Sequence, residues 1–363
     1  MFIKIEALDT LFFRDGKPFT MGSETWANGI FPPPPSVIYG ALRSAYFAEN
    51  IGELPKAKTK EDPTANLKIK GMFLSIGGSI YYPLPLDCVK EKNNSEDKCA
   101  FMLSLDENNV ISSCVTQMLL KSPDNIEVET VEGGVLDHLC FEDYLSLRRK
   151  NFFYKEISEY VLLEPKIGIG RNKQTLTTDP ENGRLYRVGM NRLASRMKTD
   201  RETETLSLVV DFTRLKLPES GFLRLGGEGK AAFYSQIQDL DIAKPAGLKG
   251  MRFKLVLTTP AIFEHGWLPR WLDNEKLEGE YEGIRLKLLT AVVGKYLTIG
   301  GFDIKDKQPK PMWRAVPPGS VYYFELCDEG DIAEVVNVFN YKSISDYSPE
   351  EGYGIAFVGG VEN

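Results

Sequence analysis

Histidine is scarce in this chain: only His138 and His265 occur, and imidazole is the commonest general acid or base. His138 lies in Leu136-Asp137-His138-Leu139-Cys140-Phe141 and reads first as structural. Cys140 is too near it in sequence to suggest a nucleophile–base pair. His265, in Phe263-Glu264-His265-Gly266-Trp267, follows an expected strand and can face a cleft, though a loop histidine is more often only solvated. No Walker A loop, H-E-x-x-H or G-x-S-x-G occurs, so no familiar nucleotide, zinc or serine-hydrolase motif is available. The cysteines, Cys88, Cys99, Cys114, Cys140 and Cys327, are odd in number and form no C-x-x-C. That argues against a disulfide framework or a zinc site and for incidental thiols in a reducing compartment. No apolar run approaches the roughly 18 residues of a membrane span. The start, MFIKIEALDT, alternates like a strand and lacks the apolar segment and cleavage site of a signal peptide. The expectation is a cytoplasmic, non-membrane protein with no metal and no cofactor.

What is present fits a soluble globular protein: 42% apolar and 26% charged residues over a length of 363. Such a chain can make two domains, or one large domain with insertions. The net charge of −7 is unevenly spread. From Lys166 to Arg201 there are nine cationic residues (Lys166, Arg171, Lys173, Arg184, Arg187, Arg192, Arg196, Lys198, Arg201) against Asp179, Glu181 and Asp200, a local balance of +6. The acids concentrate in Glu53–Asp62, Glu91–Asp97, Asp124–Glu132 and the C-terminal third. A negative total therefore does not exclude a polyanionic partner, because affinity follows where charge sits.

Periodicity predicts an α+β chain. A strand over Phe2–Leu8 precedes an irregular block and a helix from about Ser36 to Glu49. Ile69–Ile76 and Ser79–Pro83 read as a hairpin across Gly77-Gly78, and Asp137–Arg149 as a helix. Glu159–Ile169 and Leu185–Leu193 read as strands around a long polar loop, followed by strands at Leu206–Asp211, Gly221–Leu225 and Ala231–Ile237. Ala243-Lys244-Pro245-Ala246-Gly247 punctuates the chain and marks a boundary, dividing 1–245 from 246–363. Beyond it come a strand at Arg252–Leu257, a helix over Tyr281–Val293 and strands at Tyr296–Ile299 and Ser320–Leu326. A helix over Ile332–Phe339 and a strand at Ile355–Val358 complete the chain. Strand–helix–strand repeated twice is the ferredoxin-like pattern. The first half fits it only with a large insertion, around 52–142.

The most informative block runs from Phe12 to Phe47. Phe13-Arg14-Asp15-Gly16-Lys17-Pro18-Phe19 and Phe31-Pro32-Pro33-Pro34-Pro35-Ser36 flank a glycine-containing loop and lead into Val37-Ile38-Tyr39-Gly40-Ala41-Leu42-Arg43. Proline cannot lie inside a helix, whereas Ser36 suits an N-cap. The free N–H groups of that first turn, with Arg14, Lys17 and Arg43 close by, can form an anion site, or the segment is a surface turn with scattered charges. Leu225-Gly226-Gly227-Glu228-Gly229-Lys230 is not G-x-G-x-x-G and no helix pattern follows it. It reads equally as a tight β-turn and as glycines that let backbone approach a phosphate. The stretch around Tyr186 is open in the same way, as a solvated hairpin or as arginines and a tyrosine offering phosphate contacts and a stacking face.

This block resembles the start of a RAMP (repeat-associated mysterious protein) subunit, the one at the crRNA 5′-handle end of type III-B CRISPR (Cmr) effector complexes. Pro165–Arg171 with Gly183–Tyr186, Leu225–Lys230 and Pro309-Lys310-Pro311-Met312-Trp313-Arg314-Ala315-Val316-Pro317-Pro318-Gly319-Ser320-Val321-Tyr322 agree with the same family. The resemblance implies two ferredoxin-like (RRM-like) domains facing each other, the first carrying large insertions. It implies a non-catalytic subunit that binds crRNA and docks onto the large, polymerase-like palm subunit and a backbone RAMP subunit. RNA contact is then expected at Arg14, Lys17, Ser36 and Arg43 of the block. In the basic stretch it is expected at Lys166, Gly168, Arg171, Lys173, Arg184, Tyr186, Arg187, Arg192 and Arg196, and in the glycine loop at Gly226, Gly227, Gly229 and Lys230. The alternative in the same superfamily is a metal-independent endoribonuclease that processes precursor crRNA, usually with His, Tyr and Lys. No motif-matched histidine is found here for that role.

Overall fold

Phe2 and Ile3, neighbours on one strand, enter different hydrophobic clusters, and this alternation sets the layering of the molecule. The computed structural model describes all residues except 15–25, 93–97, 108–115, 117, 124–125, 170–174, 176, 178–184, 200–201, 304–307, 329–330 and 363. In chain order the first half supplies β1 (Phe2–Ala7), β2 (Trp26–Asn28), α1 (Pro35–Glu49), β3 (Lys68–Ile76) and β4 (Ser79–Pro83). Next come β5 (Gly134–Asp137), α2 (His138–Leu145), β6 (Lys155–Glu156), β7 (Val161–Ile169) and β8 (Leu185–Leu193). This half closes with β9 (Ser195–Thr199), β10 (Glu202–Thr213), β11 (Ser220–Arg224) and β12 (Ala231–Ile237). The second half supplies β13 (Arg252–Leu257), β14 (Ile284–Val292), β15 (Leu297–Ile299), β16 (Trp313–Ala315), β17 (Val321–Leu326), α3 (Ile332–Phe339) and β18 (Ile355–Gly360).

Two sheets pack face to face. The first runs β6-β5-β4-β3-β10-β1-β12-β11, with β9 also paired to β10; the second is centred on β14-β17-β13-β18. The core strands of both run in the spatial order second, third, first, fourth (β3-β10-β1-β12 and β14-β17-β13-β18), and all those pairings are antiparallel. Ile3, Ile5, Leu208 and Val210 point away from the second sheet and bury Ile38 and Leu42 of α1. Phe2, Phe73 and Val209 point the other way and meet Val256, Tyr323 and Phe357, with α2 contributing Phe141 and Tyr144. Leu255, Phe324 and Val358 face outward beneath Val335 and Phe339 of α3. The layers are helix, sheet, shared core, sheet, helix. Central strands buried on both faces read as largely apolar runs; β13 is buried from Phe253 to Leu257, with Lys254 the one charged residue among them.

Three expectations are corrected. Tyr281–Val293 is not a helix: β14 occupies Ile284–Val292. A register shift between Leu288 and Thr290 puts Leu288 and Ala291, three apart, both on the outer core with Leu289 in the shared one, so a bulged strand imitates helical spacing. Ser36 is not the N-cap of α1. Pro34 holds that position with no side-chain cap, and Pro35 starts the helix. Residues 68–83, inside the 52–142 stretch, belong to the first sheet through β3 and β4. The added structure lies beyond them, as a four-stranded sheet (Cys88–Glu91, Cys99–Met102, Val128–Thr130, Asn151–Phe153) and a hairpin of Ser104–Glu107 with Met118–Lys121. The predicted helix at Asp137–Arg149 forms over His138–Leu145, where the Asp137 carboxylate accepts from Cys140 N at 2.8 Å.

Candidate nucleic-acid interface

A two-stranded ribbon projects from this sandwich. β7 and β8 pair antiparallel along their whole length, from Val161↔Leu193 to Ile169↔Leu185, and Leu162 through Ile167 are all exposed. The free edge of β8 is taken by the N-terminal block. β2 lies parallel to it, with Arg187↔Trp26 and Gly189↔Asn28, and Leu11 exchanges both backbone hydrogen bonds with Asn191 at 2.8 Å. Asn191 is buried, and its Nδ2 donates to Ile30 O at 3.0 Å. Gly29 lies so close to β8 that a Cβ there would stand 2.5 Å from Gly189 O.

The glycine loop leans on the same block. Gly227 N donates to Phe12 O at 2.8 Å. Gly226 has φ +78, and a Cβ on it would stand 2.4 Å from that same oxygen. Gly229 and Glu228 also have positive φ, +66 and +56, and nothing lies within 4 Å of a Cβ on Gly229. Phe12 packs on Val188 and Met190 of β8 while Phe13 enters the α1 core, so these two adjacent rings pin the block to both neighbours. The 309–322 stretch reaches it from the other half. Ala315 and Ile299 bury Tyr353, and the Tyr353 hydroxyl donates to Ser36 Oγ at 3.0 Å. Two of the other stretches that carry the resemblance are thus tied to this block, 225–230 directly at Phe12 and 309–322 through Tyr353, while 165–169 lies one strand away across β8.

The charges are less available than their number in the sequence suggests. Lys230 Nζ lies 2.6 Å from Asp9, which also faces Arg192 at 3.7 Å. Arg192 Nε donates to Glu164 at 2.5 Å, and Arg196 pairs with Glu159. The Lys230 hydrogen bond, and after it the Thr10 N–H, holds the Asp9 carboxyl below its ordinary value. Arg192 does the same to Glu164. Lys166 and Arg187 are exposed on β7 and β8, as is Arg14 at its bridge to Gly29. Gly168 stands opposite Tyr186 in the ladder. Lys17, Arg171, Lys173 and Arg184 lie outside the described residues, as does the side chain of Tyr186. Arg43 does not join this surface. Its guanidinium donates to Asp62 at 2.6 Å and to Thr64 at 2.7 Å, tying α1 to the following loop. Ser36 is likewise engaged by Tyr353, and with prolines at 34 and 35 the α1 terminus offers fewer N–H donors than a free helix start. Asp9, Phe12, Gly29 and Asn191 are not legible as site residues in the sequence because their partners are far away in the chain.

The two histidines sit apart from this arrangement. His138 is half-buried 3.7 Å from Glu142 on α2. His265 is exposed and lines a shallow depression of about 540 Å³ with Arg270, Trp271, Asp273 and Glu275. Among the described residues no group of three or more His, Cys, Asp or Glu is placed to hold a metal ion.

A strand-rich α+β chain of paired sheets with a projecting ribbon is the fold of RAMP-type subunits of CRISPR effector complexes. Similar chains occur in cryo-EM structures of the type III-B Cmr-beta complex bound to cognate target RNA (TM-score 0.52) and bound to that RNA and AMPPnP (state 1; TM-score 0.51). Each is 17% identical, over 89% of this chain and 86% of the other, a level that speaks for fold alone. By sequence the chain belongs to the family described as CRISPR-associated protein (Cas_Cmr3), which it matches over residues 3–360. No curated protein matches it. It is thus a CRISPR-associated protein of that family.

Proposed function

We propose that this chain is the non-catalytic crRNA-binding subunit of a Cmr complex, holding the 5′ handle and docking onto the large palm-type subunit and a backbone RAMP subunit in the cytoplasm. The observation that carries this reading is the docking of the glycine loop onto Phe12, beside the ribbon with Lys166 and Arg187. Gly229, with positive φ and nothing within 4 Å of a Cβ, leaves backbone open to a ribose or phosphate, and exposed cations on a ribbon can follow a phosphate backbone. The shared strand order of the two sheets supports reading each as a ferredoxin-like domain, with the break near Pro245. The Cmr complex reconstituted with this chain should protect the handle of crRNA, and substitution of Lys166 and Arg187 should weaken that protection. Repeat RNA incubated with the isolated chain and a chelator should stay intact. Multiple-turnover cleavage abolished in His265→Ala would replace this reading with the endoribonuclease.

A further inference from the structure

The β15–β16 hairpin carries an aromatic surface that the ribbon and glycine loop leave unexplained. β16 pairs with β15 through Thr298↔Arg314 and Ile299↔Trp313. Trp313 stacks on Tyr347 with ring centroids 4.5 Å apart at 27°, and 37% of it remains exposed. Next to it Met312 is 54% exposed. On the alternate side of the strand the Arg314 guanidinium lies 4.9 Å from the ring of Tyr296, itself half exposed. Large aromatics normally contribute to cores; here the core below is already closed by Ile262, Ile299, Ala315 and Tyr353, so Trp313 covers a filled core and offers its outer surface. The charge is favourable too. From Gly294 to Val316 the sequence has Lys295, Lys305, Lys307, Lys310 and Arg314 against Asp303 and Asp306, a surplus of +3 in a chain of net −7. Tyr353 links this hairpin to Ser36, so it flanks the N-terminal block on the side facing the second half. The acids nearby are Asp346, next to Tyr347 and paired with Arg270 at 3.7 Å, Glu350 and Glu351; Lys310 lies 3.9 Å from Glu351, whose carboxyl burial pushes above its ordinary value, Lys310 opposing.

We infer that the Trp313–Tyr347 stack is a second contact for unpaired RNA, receiving a nucleobase on the outer face of Trp313 while Lys310 meets the adjoining phosphate. This rests on the RNA-binding reading above and extends it to the second half of the molecule. Stacked aromatics beside cations hold single strands without reading sequence. The probe is a fluorescently labelled oligoadenylate, titrated against the full chain and against the chain assembled with its Cmr partners. Trp313→Leu should weaken binding roughly 5- to 150-fold, the span of one base stack. It should also remove part of the RNA-induced quenching of tryptophan fluorescence and leave the salt slope unchanged, because the cations that meet phosphate all remain. Trp313→Phe, which keeps a stacking face and the packing, should restore most of the affinity. If Trp313→Leu leaves affinity and quenching unchanged while Lys166→Ala and Arg187→Ala weaken binding, the second contact is overturned and the ribbon reading stands. Normal RNA binding by Trp313→Leu with failed assembly would make the hairpin a protein-docking surface instead. Absence of RNA binding by the unmodified chain, alone and assembled, would overturn both.

Discussion

Lys254 Nζ lies 3.2 Å from the Asp87 carboxylate, and both side chains are almost wholly buried, at 1% and 0% exposure. Lys254 comes from β13 and Asp87 from the segment after β4, so the pair ties the added structure to the second sheet. The hydroxyl of Tyr144 donates to Asp87 at 2.7 Å and that of Tyr323 at 2.5 Å, and the ammonium lies 3.7 Å from the ring centroid of Tyr144. Burial first, and Asp87 after it, pushes both tyrosine hydroxyls above their ordinary range, so they stay protonated as donors. Lys254→Met leaves the carboxylate buried without its cation and should cost about 3–5 kcal/mol. Lys254→Met with Asp87→Asn should recover much of that deficit, because no uncompensated charge remains. Urea unfolding of the single and double variants measures both.

The glycine loop separates two causes of glycine demand. At Gly226 a substitution meets both positive φ and the Phe12 carbonyl, whereas at Gly229 only φ is unfavourable. Gly229→Ala should lower stability by about 1 kcal/mol. Gly226→Ala should cost more, about 2–4 kcal/mol, because backbone must move. It should also reduce handle binding by displacing residues 12–13. Equal destabilisation of the two variants in thermal unfolding would show that the loop is not pressed against Phe12.

On the ribbon, Lys166→Ala and Arg187→Ala should each lower the slope of log affinity against log salt by about one unit or less for every phosphate the removed cation neutralises. Arg43→Ala should leave that slope unchanged and reduce stability, since its partners are Asp62 and Thr64. Filter binding of handle RNA across a salt series distinguishes the two classes of arginine.

Much of this was legible in the sequence where local rules decide. The Gly77-Gly78 hairpin, β13 over Arg252–Leu257 and α3 over Ile332–Phe339 form as periodicity predicts. The block at 12–36 is recognisable as the centre of interest, but its neighbours are not. Nothing local says that Gly227 will donate to Phe12 or that Asn191 will reach Ile30, since these contacts join segments more than 150 residues apart. Charge counting fails for a related reason. Arg192, Arg196 and Lys230 are cationic in sequence but find Glu164, Glu159 and Asp9 on folding. The bulge in β14 hides a strand behind helical spacing, which only its two-sided pairing resolves.

Asp9 restrains two cations at once, Lys230 and Arg192. Asp9→Asn should release Lys230, while Arg192 keeps Glu164, and tighten binding of handle RNA severalfold at low salt, with a steeper salt slope. The pH dependence has a defined sign. Because Lys230 holds the Asp9 carboxyl below its ordinary value, the ion pair persists above the unfolded pKa near 4 and is broken only as pH falls through the lower folded value. The native chain and Asp9→Asn should therefore differ across neutral and mildly acidic pH and converge only in strong acid. Unchanged affinity at pH 7 would mean that RNA does not use Lys230.

Glu351 has the opposite sign. Burial, as the largest cause, raises its carboxyl above the ordinary value, with Lys310 acting against it. The folded state therefore binds the proton more tightly than the unfolded chain, and stability rises as pH falls through the folded value. Glu351→Gln removes the cost of a buried charge and should stabilise the protein at neutral pH. The gain should shrink through the mildly acidic range and vanish below the unfolded carboxyl pKa of about 4. Lys310 lies 3.9 Å away and is 44% exposed, so removing its pairing should offset little of this. Thermal melts of both proteins from neutral to acidic pH read the difference directly. A variant less stable than the native chain at pH 7 would show that Lys310 compensates the buried carboxylate after all.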